Sequence, residues 1–164
     1  MACTGPRCVV IGIGNPDRGD DAVGRLVAQS LKDQLLPEVA IREHDGEATG
    51  LLVCMEGAAV VYLIDACVSG KPVGTVQRFD VKARPLPQGT FNLSTHGFGL
   101  AEAIELARAL NQLPVRCVVY AVEAGSVVAG EPLSPKVAAA VHEVAERIRE
   151  EIVNADATEG RIDA

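Results

Sequence analysis

Aromatic residues are scarce in this sequence. They make up 3% of its 164 residues, and tryptophan is absent. The hydrophobic fraction is nevertheless 48%, so the core must be built mainly from valine, alanine, leucine and isoleucine. Such a composition favours buried parallel strands that are covered by alanine- and leucine-rich helices. The chain is also long enough to bury one core of this kind without disulfides or structural metals.

A surplus of positive charge is missing too. The formal net charge is −7, whereas a protein that binds nucleic acid or an anionic membrane surface needs a basic face. No apolar run approaches the length of a membrane span, and the first residues are too few and too polar to form a signal peptide. We therefore expect neither a nucleic-acid partner nor a membrane partner.

The cysteines lack the spacing of a disulfide framework or a zinc ribbon. They are odd in number, five in all, and no two of them form a Cys-x-x-Cys pair. Reduced cysteines and the absence of a targeting segment predict a cytoplasmic location. A surface heptad pattern is also absent, so the sequence predicts a monomer.

Short β-branched runs alternate with helical patterns along the chain. The strands are predicted at 8–14, 39–44, 59–64, 75–81 and 116–122, and the helices at 20–36, 48–57, 97–110 and 135–153. The third and fourth strands are too close in sequence for a parallel crossover, so the fourth should run antiparallel near an edge. The order βαβαββαβα predicts a three-layer α/β/α sandwich with a mixed, mostly parallel five-stranded sheet. One domain would cover residues 1–153, followed by a flexible tail at 154–164.

Polar residues gather where the predicted parallel strands end. Ligands of such sheets bind outside the carboxyl ends of the strands, where connections diverge. Those ends deliver Asp21, Asp45, Asp65 and Glu123, and His96 opens the helix after the long loop. Each residue taken singly is more often a cap or loop residue. Together, the carboxylates of Asp21 and Asp65 and the imidazole of His96 form an open three-ligand site for a borderline divalent metal, which residue types alone do not identify.

Other interpretations of the same residues compete with a metal site. Gly12 and Gly14 begin a dinucleotide-binding motif, but its third glycine is missing and acids stand where the pyrophosphate would lie. Asp20 is predicted to cap the first helix by accepting backbone N–H bonds. Cys67 could act as a nucleophile or a soft metal ligand, although a reactive cysteine usually needs a neighbouring base.

Three motifs carry a resemblance to a known family. The first is Gly12-x-Gly14-Asn15 followed by Asp20-Asp21-Ala-Val-Gly24, the second is Leu-Ile-Asp65-Ala, and the third is Ser94-Thr-His96-x-x-Gly-Leu100. They fall in the order and spacing of one family. Over about residues 8–153, the chain resembles the hydrogenase maturation endopeptidases.

The resemblance implies roles for three residues. In that family a metal ion is bound by the acid that ends the first motif, the Asp after the third strand and the later His. Carried over by motif position, the metal-binding and catalytic residues are Asp21, Asp65 and His96, and Asp21 stands where some members have a Glu. Asn15 and Glu123 are further expected to support the first-strand loop and the ligands.

The resemblance also implies a reaction. An endopeptidase of this family removes a C-terminal extension from a nickel–iron hydrogenase large-subunit precursor after nickel insertion. The nickel would belong to the substrate, and no organic cofactor is implied. Water would be activated by the metal or by a carboxylate base. Two alternatives stay open, which are a non-catalytic nickel-binding chaperone with the same three ligands and a metal-independent aspartic-type peptidase in which Asp21 and Asp65 share a proton.

The sequence departs from the family pattern after the second strand. A frequent Asp-Gly-Gly-Thr stretch is replaced here by Asp45-Gly46-Glu47-Ala48-Thr49. Gly46 still allows a flexible turn, but Glu47 adds bulk and charge where the substrate's C-terminal segment would pass. Asp45 and Gly46 are therefore expected to contact the substrate or to support the metal ligands.

Overall fold

The computed structural model describes residues 6–34, 36, 38–87, 89–91 and 99–162. Its strands are β1 (Cys8–Ile13), β2 (Val39–His44), β3 (Val60–Cys67), β4 (Val76–Asp80) and β5 (Arg116–Glu123). Its α-helices are α1 (Val23–Lys32), α2 (Ala48–Met55), α3 (Leu100–Ala109) and α4 (Pro135–Ile162), and a short 3₁₀ helix, Gly19–Ala22, precedes α1. The predicted order βαβαββαβα is confirmed.

The five strands form one mixed sheet in the order β2-β1-β3-β5-β4. β1 pairs in parallel with both β2 and β3, and β3 pairs in parallel with β5. β4 runs antiparallel to β5 at one edge, as the short connection predicts. The connections diverge between β1 and β3, because β2 lies on the other side of β1. A sheet of this kind places its ligand site beyond that point.

Helices cover both faces of the sheet. Alternating strand residues point to opposite faces, so neighbouring residues of β1 enter different cores. The core under α1 and α4 includes Val10, Val27 and Ile148, and the core under α2 and α3 includes Ile11, Leu51 and Ile104. This three-layer α/β/α arrangement confirms the predicted fold class.

Two predicted boundaries near the carboxyl ends of the strands are wrong. The single helix predicted at 20–36 is a 3₁₀ helix followed by α1, which ends at Lys32. The first turn departs from α-helical geometry where the Asp20 side chain bonds to a distant loop rather than to α1. β3 also continues through Cys67, so Asp65 lies within the strand and not after it, because Asp65, Ala66 and Cys67 pair with β5.

The end of the chain also differs from the prediction. α4 runs to Ile162, so residues 154–162, which belong to the tail predicted at 154–164, are helical. Ile152, Ala155 and Asp156 line a cavity together with the amino-terminal ends of β1, β2 and β3. The part of α4 beyond residue 153 therefore lies against the sheet. The alanines in this part of the helix also have a high intrinsic helix propensity.

The cysteines of the described residues are free thiols. Cys67 and Cys117 are fully buried, whereas Cys8 and Cys54 are half-buried. Each of them packs as a small apolar side chain. Among the helices in these parts of the chain, none combines the length and the apolar character that a membrane span requires.

Candidate active site

A small cleft, partly open to solvent, lies where β1 and β3 end. The described residues that line it are Ile13, Gly14, Asp21, Asp45, Gly46, Asp65, Phe91, Gly99 and Leu100. The cleft thus brings together four of the residues that the sequence nominates, which are Asp21, Asp45, Gly46 and Asp65. Its two buried carboxyl groups set its chemistry.

Two glycines let the first helix approach the sheet closely. A Cβ atom on Gly24 would lie 2.3 Å from the carbonyl oxygen of Ile64 and 2.4 Å from that of Ile13. A Cβ atom on Gly12 would lie 2.2 Å from the carbonyl oxygen of Gly24. Real side chains do not fit at such distances, so backbone packs directly on backbone. This contact carries the turn before α1, and with it Asp21, over the ends of β1 and β3.

Asp21 lies in the 3₁₀ helix and is 8% exposed. Its Oδ2 atom accepts a hydrogen bond of 3.1 Å from the backbone N–H of Asn15. Burial raises the pKa of Asp21, although the Asn15 N–H and the positive charges of Arg18 and Arg25 act in the opposite direction. The pKa of Asp21 is raised overall. Asp21 therefore holds a proton in the cleft more readily than an aspartic acid in water does.

Asp65 faces the same cleft from β3 and is 9% exposed. Its Oδ1 atom accepts a hydrogen bond of 2.8 Å from the backbone N–H of Ala66. Burial, and then the negative charge of Asp21, raises the pKa of Asp65 well above its usual value. Two nearby buried acids therefore oppose each other's ionisation. A divalent cation or a shared proton would relieve that opposition.

The turn after β2 forms another wall of the cleft. The backbone N–H of Gly46 donates to Nδ1 of His44 at 2.9 Å, and Gly46 adopts a φ of +98°. The exposed Asp45 accepts a hydrogen bond from the Glu47 N–H at 3.0 Å. The Glu47 carboxylate accepts from the N–H groups of Thr49 and Gly50 at 2.8 and 2.9 Å, so it caps α2. Glu47, the residue that departs from the family pattern, thus has a structural role as the cap of α2.

Glu123 lies outside the set of residues that line the cleft. It is 3% exposed, and its carboxylate accepts hydrogen bonds from the N–H and hydroxyl of Ser69 at 2.8 and 2.6 Å. The N–H of Gly70 donates to it at 3.1 Å. Burial alone would raise the pKa of Glu123, but these donors lower it below the usual value. Glu123 thus holds the loop that follows β3, the strand that carries Asp65.

Cys67 is not placed to act as a nucleophile. It is fully buried, and its Sγ atom donates to Glu123 at 3.3 Å. Burial, followed by that hydrogen bond and the negative charges of Glu123 and Asp65, raises the pKa of the thiol to about 12. A thiol with such a pKa forms almost no thiolate at neutral pH, so a direct catalytic role is not supported.

Asn15 supports the site through its backbone. Its N–H holds Asp21, while its exposed side chain accepts a hydrogen bond from the Asp17 N–H at 2.9 Å. The same loop includes Gly14, whose carbonyl accepts a hydrogen bond of 2.5 Å from Nε of Arg25. These bonds fix the loop between β1 and the 3₁₀ helix.

His96, the third proposed metal ligand, lies outside the described residues. Among the residues that are described, no group of three or more His, Cys, Asp or Glu side chains is arranged to hold a metal ion. Asp21 and Asp65 supply two carboxylates, which is an incomplete set of ligands for a transition metal.

The prediction that Asp20 caps the first helix is wrong. Its fully buried side chain accepts hydrogen bonds from the β5–α4 loop, and α1 has no side-chain cap. The predicted site also omits Arg25, which donates to the Gly14 carbonyl, and Phe91, which lines the cleft. The spacing of Arg25, four residues after Asp21, is a usable signal because such residues share one helix face. Phe91 lies in an aperiodic loop, which offers no such signal.

Comparisons with known proteins agree with this architecture. A family model described as hydrogenase maturation protease matches residues 26–151, a range that includes Asp65 and begins after Asp21. The hydrogenase expression/formation protein HupD of Thiocapsa roseopersicina is 27% identical over 120 residues, which are 72% of this chain and 54% of HupD. The chain therefore spans about half the length of that relative.

Solved structures extend the likeness over nearly the whole chain. The hydrogenase maturating endopeptidase HybD from E. coli superposes with a TM-score of 0.76 at 23% identity, covering 91% of this chain and 93% of HybD. The [NiFe] hydrogenase maturation protease HycI from Thermococcus kodakarensis KOD1 gives a TM-score of 0.67 at 29% identity, covering 90% and 92%. HybD shares the fold, and the family model matches most of the sequence. The chain belongs to the hydrogenase maturation protease family.

Proposed function

We propose that this protein is an endopeptidase that removes a C-terminal extension from a nickel–iron hydrogenase large-subunit precursor after nickel insertion. The observation that carries the proposal is the pair of buried carboxyl groups, Asp21 and Asp65, in one cleft at the divergence point of the sheet. Family membership supports the partner and the reaction class. In this proposal the nickel is part of the substrate and not a resident cofactor.

Asp21 and Asp65 would recognise the substrate's nickel by completing its coordination. Two carboxylates bind a free ion weakly but add favourably to an ion that substrate groups already hold. The raised pKa of Asp65 has burial and then the charge of Asp21 as its causes, and an approaching cation opposes both effects. His96 is proposed as the third ligand on the basis of the family motif.

Peptide hydrolysis needs a proton acceptor and a proton donor. One carboxylate of the pair would take a proton from the attacking water as its oxygen bonds to the scissile carbonyl carbon. The same proton would then pass to the leaving nitrogen as the carbon–nitrogen bond breaks. An acid whose pKa is raised by burial is suited to both steps, because it exchanges protons closer to neutral pH.

The pKa pattern also favours a second candidate, a metal-independent aspartic-type peptidase. Two nearby acids that share one proton would cleave without nickel, in the manner of a carboxyl dyad. Such an enzyme would retain activity in the presence of a chelator and after replacement of His96. The same proteins and the same assay therefore separate the two candidates.

The test uses precursor prepared with and without nickel, and mass spectrometry of the large subunit after incubation. Shortening of the nickel-loaded form alone supports the proposal. Shortening of both forms, unaffected by a chelator, indicates the aspartic-type peptidase. Nickel binding with no shortening of either form indicates a chaperone and contradicts the proposed activity.

We further propose that the protein acts as a monomer in the cytoplasm. The free thiols of the cysteines in the described residues support a reducing compartment. Sedimentation of the purified protein and fractionation of the source cells test these two statements.

A further inference from the structure

The carboxylate of Asp20 is fully buried and accepts four hydrogen bonds. The N–H groups of Gly125, Ser126 and Ser134 donate at 2.7, 3.2 and 2.7 Å, and the Ser134 hydroxyl donates at 2.6 Å. Three of these donors bond to Oδ2 and the Ser134 N–H bonds to Oδ1, so both oxygens of the carboxylate are hydrogen-bonded. All four belong to the loop between β5 and α4, which lies 105 to 114 residues further along the chain.

The backbone around Asp20 makes a second connection to the same loop. The Asp20 N–H donates to the carbonyl oxygen of Ser126 at 2.8 Å. Gly19 adopts a φ of +52°, and a Cβ atom there would lie 2.5 Å from the same oxygen. The 3₁₀ helix is therefore held against the loop by its backbone and by the Asp20 side chain together.

Asp21 is the next residue in this short helix and faces the cleft. Its Oδ2 atom accepts a hydrogen bond from the Asn15 N–H. Asn15 precedes the 3₁₀ helix in sequence, whereas the β5–α4 loop comes after it. We propose that Asp20 is a positioning residue, which fixes the carboxylate of Asp21 beside Asp65 by anchoring the 3₁₀ helix to the β5–α4 loop. Its effect on cleavage rests on the proposed function, whereas its effect on geometry does not.

A carboxylate suits this position because all four groups that hydrogen-bond to the side chain are donors. An amide at residue 20 would present an N–H₂ group to at least one buried donor, which would be left without an acceptor. The segment would then shift, and the hydrogen bond between the Asn15 N–H and Asp21 would weaken. Hydrogen exchange of the Asn15 amide thus reports the position of Asp21 without any assay of function.

The experiment compares Asp20→Asn and Ser134→Ala with Ser126→Ala. Ser126 lies in the same loop, but its hydroxyl donates to Glu131 and does not contact Asp20. Amide exchange is followed by NMR for Asn15 and for the central residues of β1. We expect the Asn15 amide to exchange about tenfold faster in Asp20→Asn, and less so in Ser134→Ala, with β1 amides unchanged. Ser126→Ala should match the wild type.

Cleavage of nickel-loaded precursor is measured on the same variants. We expect kcat to fall roughly 10- to 100-fold in Asp20→Asn while KM stays within about threefold. An unchanged Asn15 amide in folded Asp20→Asn overturns the proposal, and so does a uniform loss of protection across β1, which would mean general destabilisation. Ser134→Ala decides the matter by the same criteria if Asp20→Asn does not fold. Faster Asn15 exchange with wild-type cleavage would support the positioning and contradict the catalytic role of Asp21.

Discussion

Asp65 and Asp21 are coupled acids that reach one cleft from different elements. Burial, and then the negative charge of Asp21, raises the pKa of Asp65 well above its ordinary value. Close packing of α1 on β1 and β3 produces this proximity, because Gly24 leaves no space between the helix and the backbone of the sheet. The fold therefore creates the pair. A cation or a proton that binds there reduces the charge repulsion between the two carboxylates.

The coupling predicts how stability depends on pH. The folded protein binds a proton at Asp65 more tightly than the unfolded chain, whose Asp pKa is about 3.9. The contribution of Asp65 to the free energy of unfolding is therefore greatest below that value and falls as pH rises through the raised folded pKa. Asp65→Asn should remove this fall, so the variant gains stability relative to the wild type with increasing pH.

Urea denaturation at a series of pH values from about 4 to 8 measures this effect. Asp17→Asn provides the control, because Asp17 is exposed and the same chemical change there leaves the pair intact. Parallel pH profiles for the wild type and Asp65→Asn would show that the Asp65 pKa is not raised.

The contact between Gly24 and the sheet predicts a large effect of one methyl group. In Gly24→Ala the new Cβ atom would meet backbone oxygens of Ile64 and Ile13, which cannot move independently. We expect the free energy of unfolding to fall by about 1–3 kcal/mol, despite the better helix propensity of alanine. Gly50→Ala in α2 is the comparison, since its Cβ atom would meet the side chain of His44 and not backbone. That ring can shift at the cost of weakening its hydrogen bond from the Gly46 N–H. Equal stability changes in thermal or urea unfolding would contradict the backbone contact.

The buried thiol of Cys67 is expected to contribute to packing and not to catalysis. Cys67→Ala should cleave precursor at the wild-type rate and lose about 1 kcal/mol of stability, because only a weak hydrogen bond to Glu123 and some packing disappear. Native protein should also leave this thiol unlabelled by an alkylating reagent, since its pKa is about 12. Loss of cleavage in a folded Cys67→Ala protein would indicate that the thiol takes part in the reaction.

Glu151 lies away from the cleft and should make the free energy of unfolding depend on pH with the opposite sign. Its carboxylate accepts hydrogen bonds from Arg78, Arg116 and Tyr120 at 2.6, 2.9 and 2.5 Å. Burial alone would raise its pKa, but the bonds from Arg78 and Tyr120 and the two positive charges lower it. This stabilisation is present above the unfolded Glu pKa of about 4.3 and is lost as pH falls through the lower folded pKa.

Glu151→Gln should therefore lower the free energy of unfolding by about 1–3 kcal/mol at neutral pH, with a difference that shrinks in acid. Cleavage by the folded variant should not change. A constant difference from neutral to acidic pH, measured by urea denaturation, would argue against the charged cluster.

Local sequence signals were sufficient for the fold and for part of the cleft. The β-branched runs and their spacing give the layers and the antiparallel edge strand, and the ends of parallel strands bring Asp21 and Asp65 together. The partners of Asp20 could not be predicted, because its donors are over a hundred residues away and are selected by tertiary packing. For the same reason β3 exceeds its predicted length, since pairing with β5 extends it past Asp65.

In the proposed function, Asp21 and Asp65 together recognise and cleave a nickel-loaded substrate. Single-turnover cleavage of the nickel-loaded precursor by Asp21→Asn, Asp65→Asn and the exposed control Asp17→Asn tests it most directly. We predict that each variant of the pair is at least about 100-fold slower than the wild type and that Asp17→Asn is not. Wild-type cleavage by either folded variant of the pair would contradict the claim.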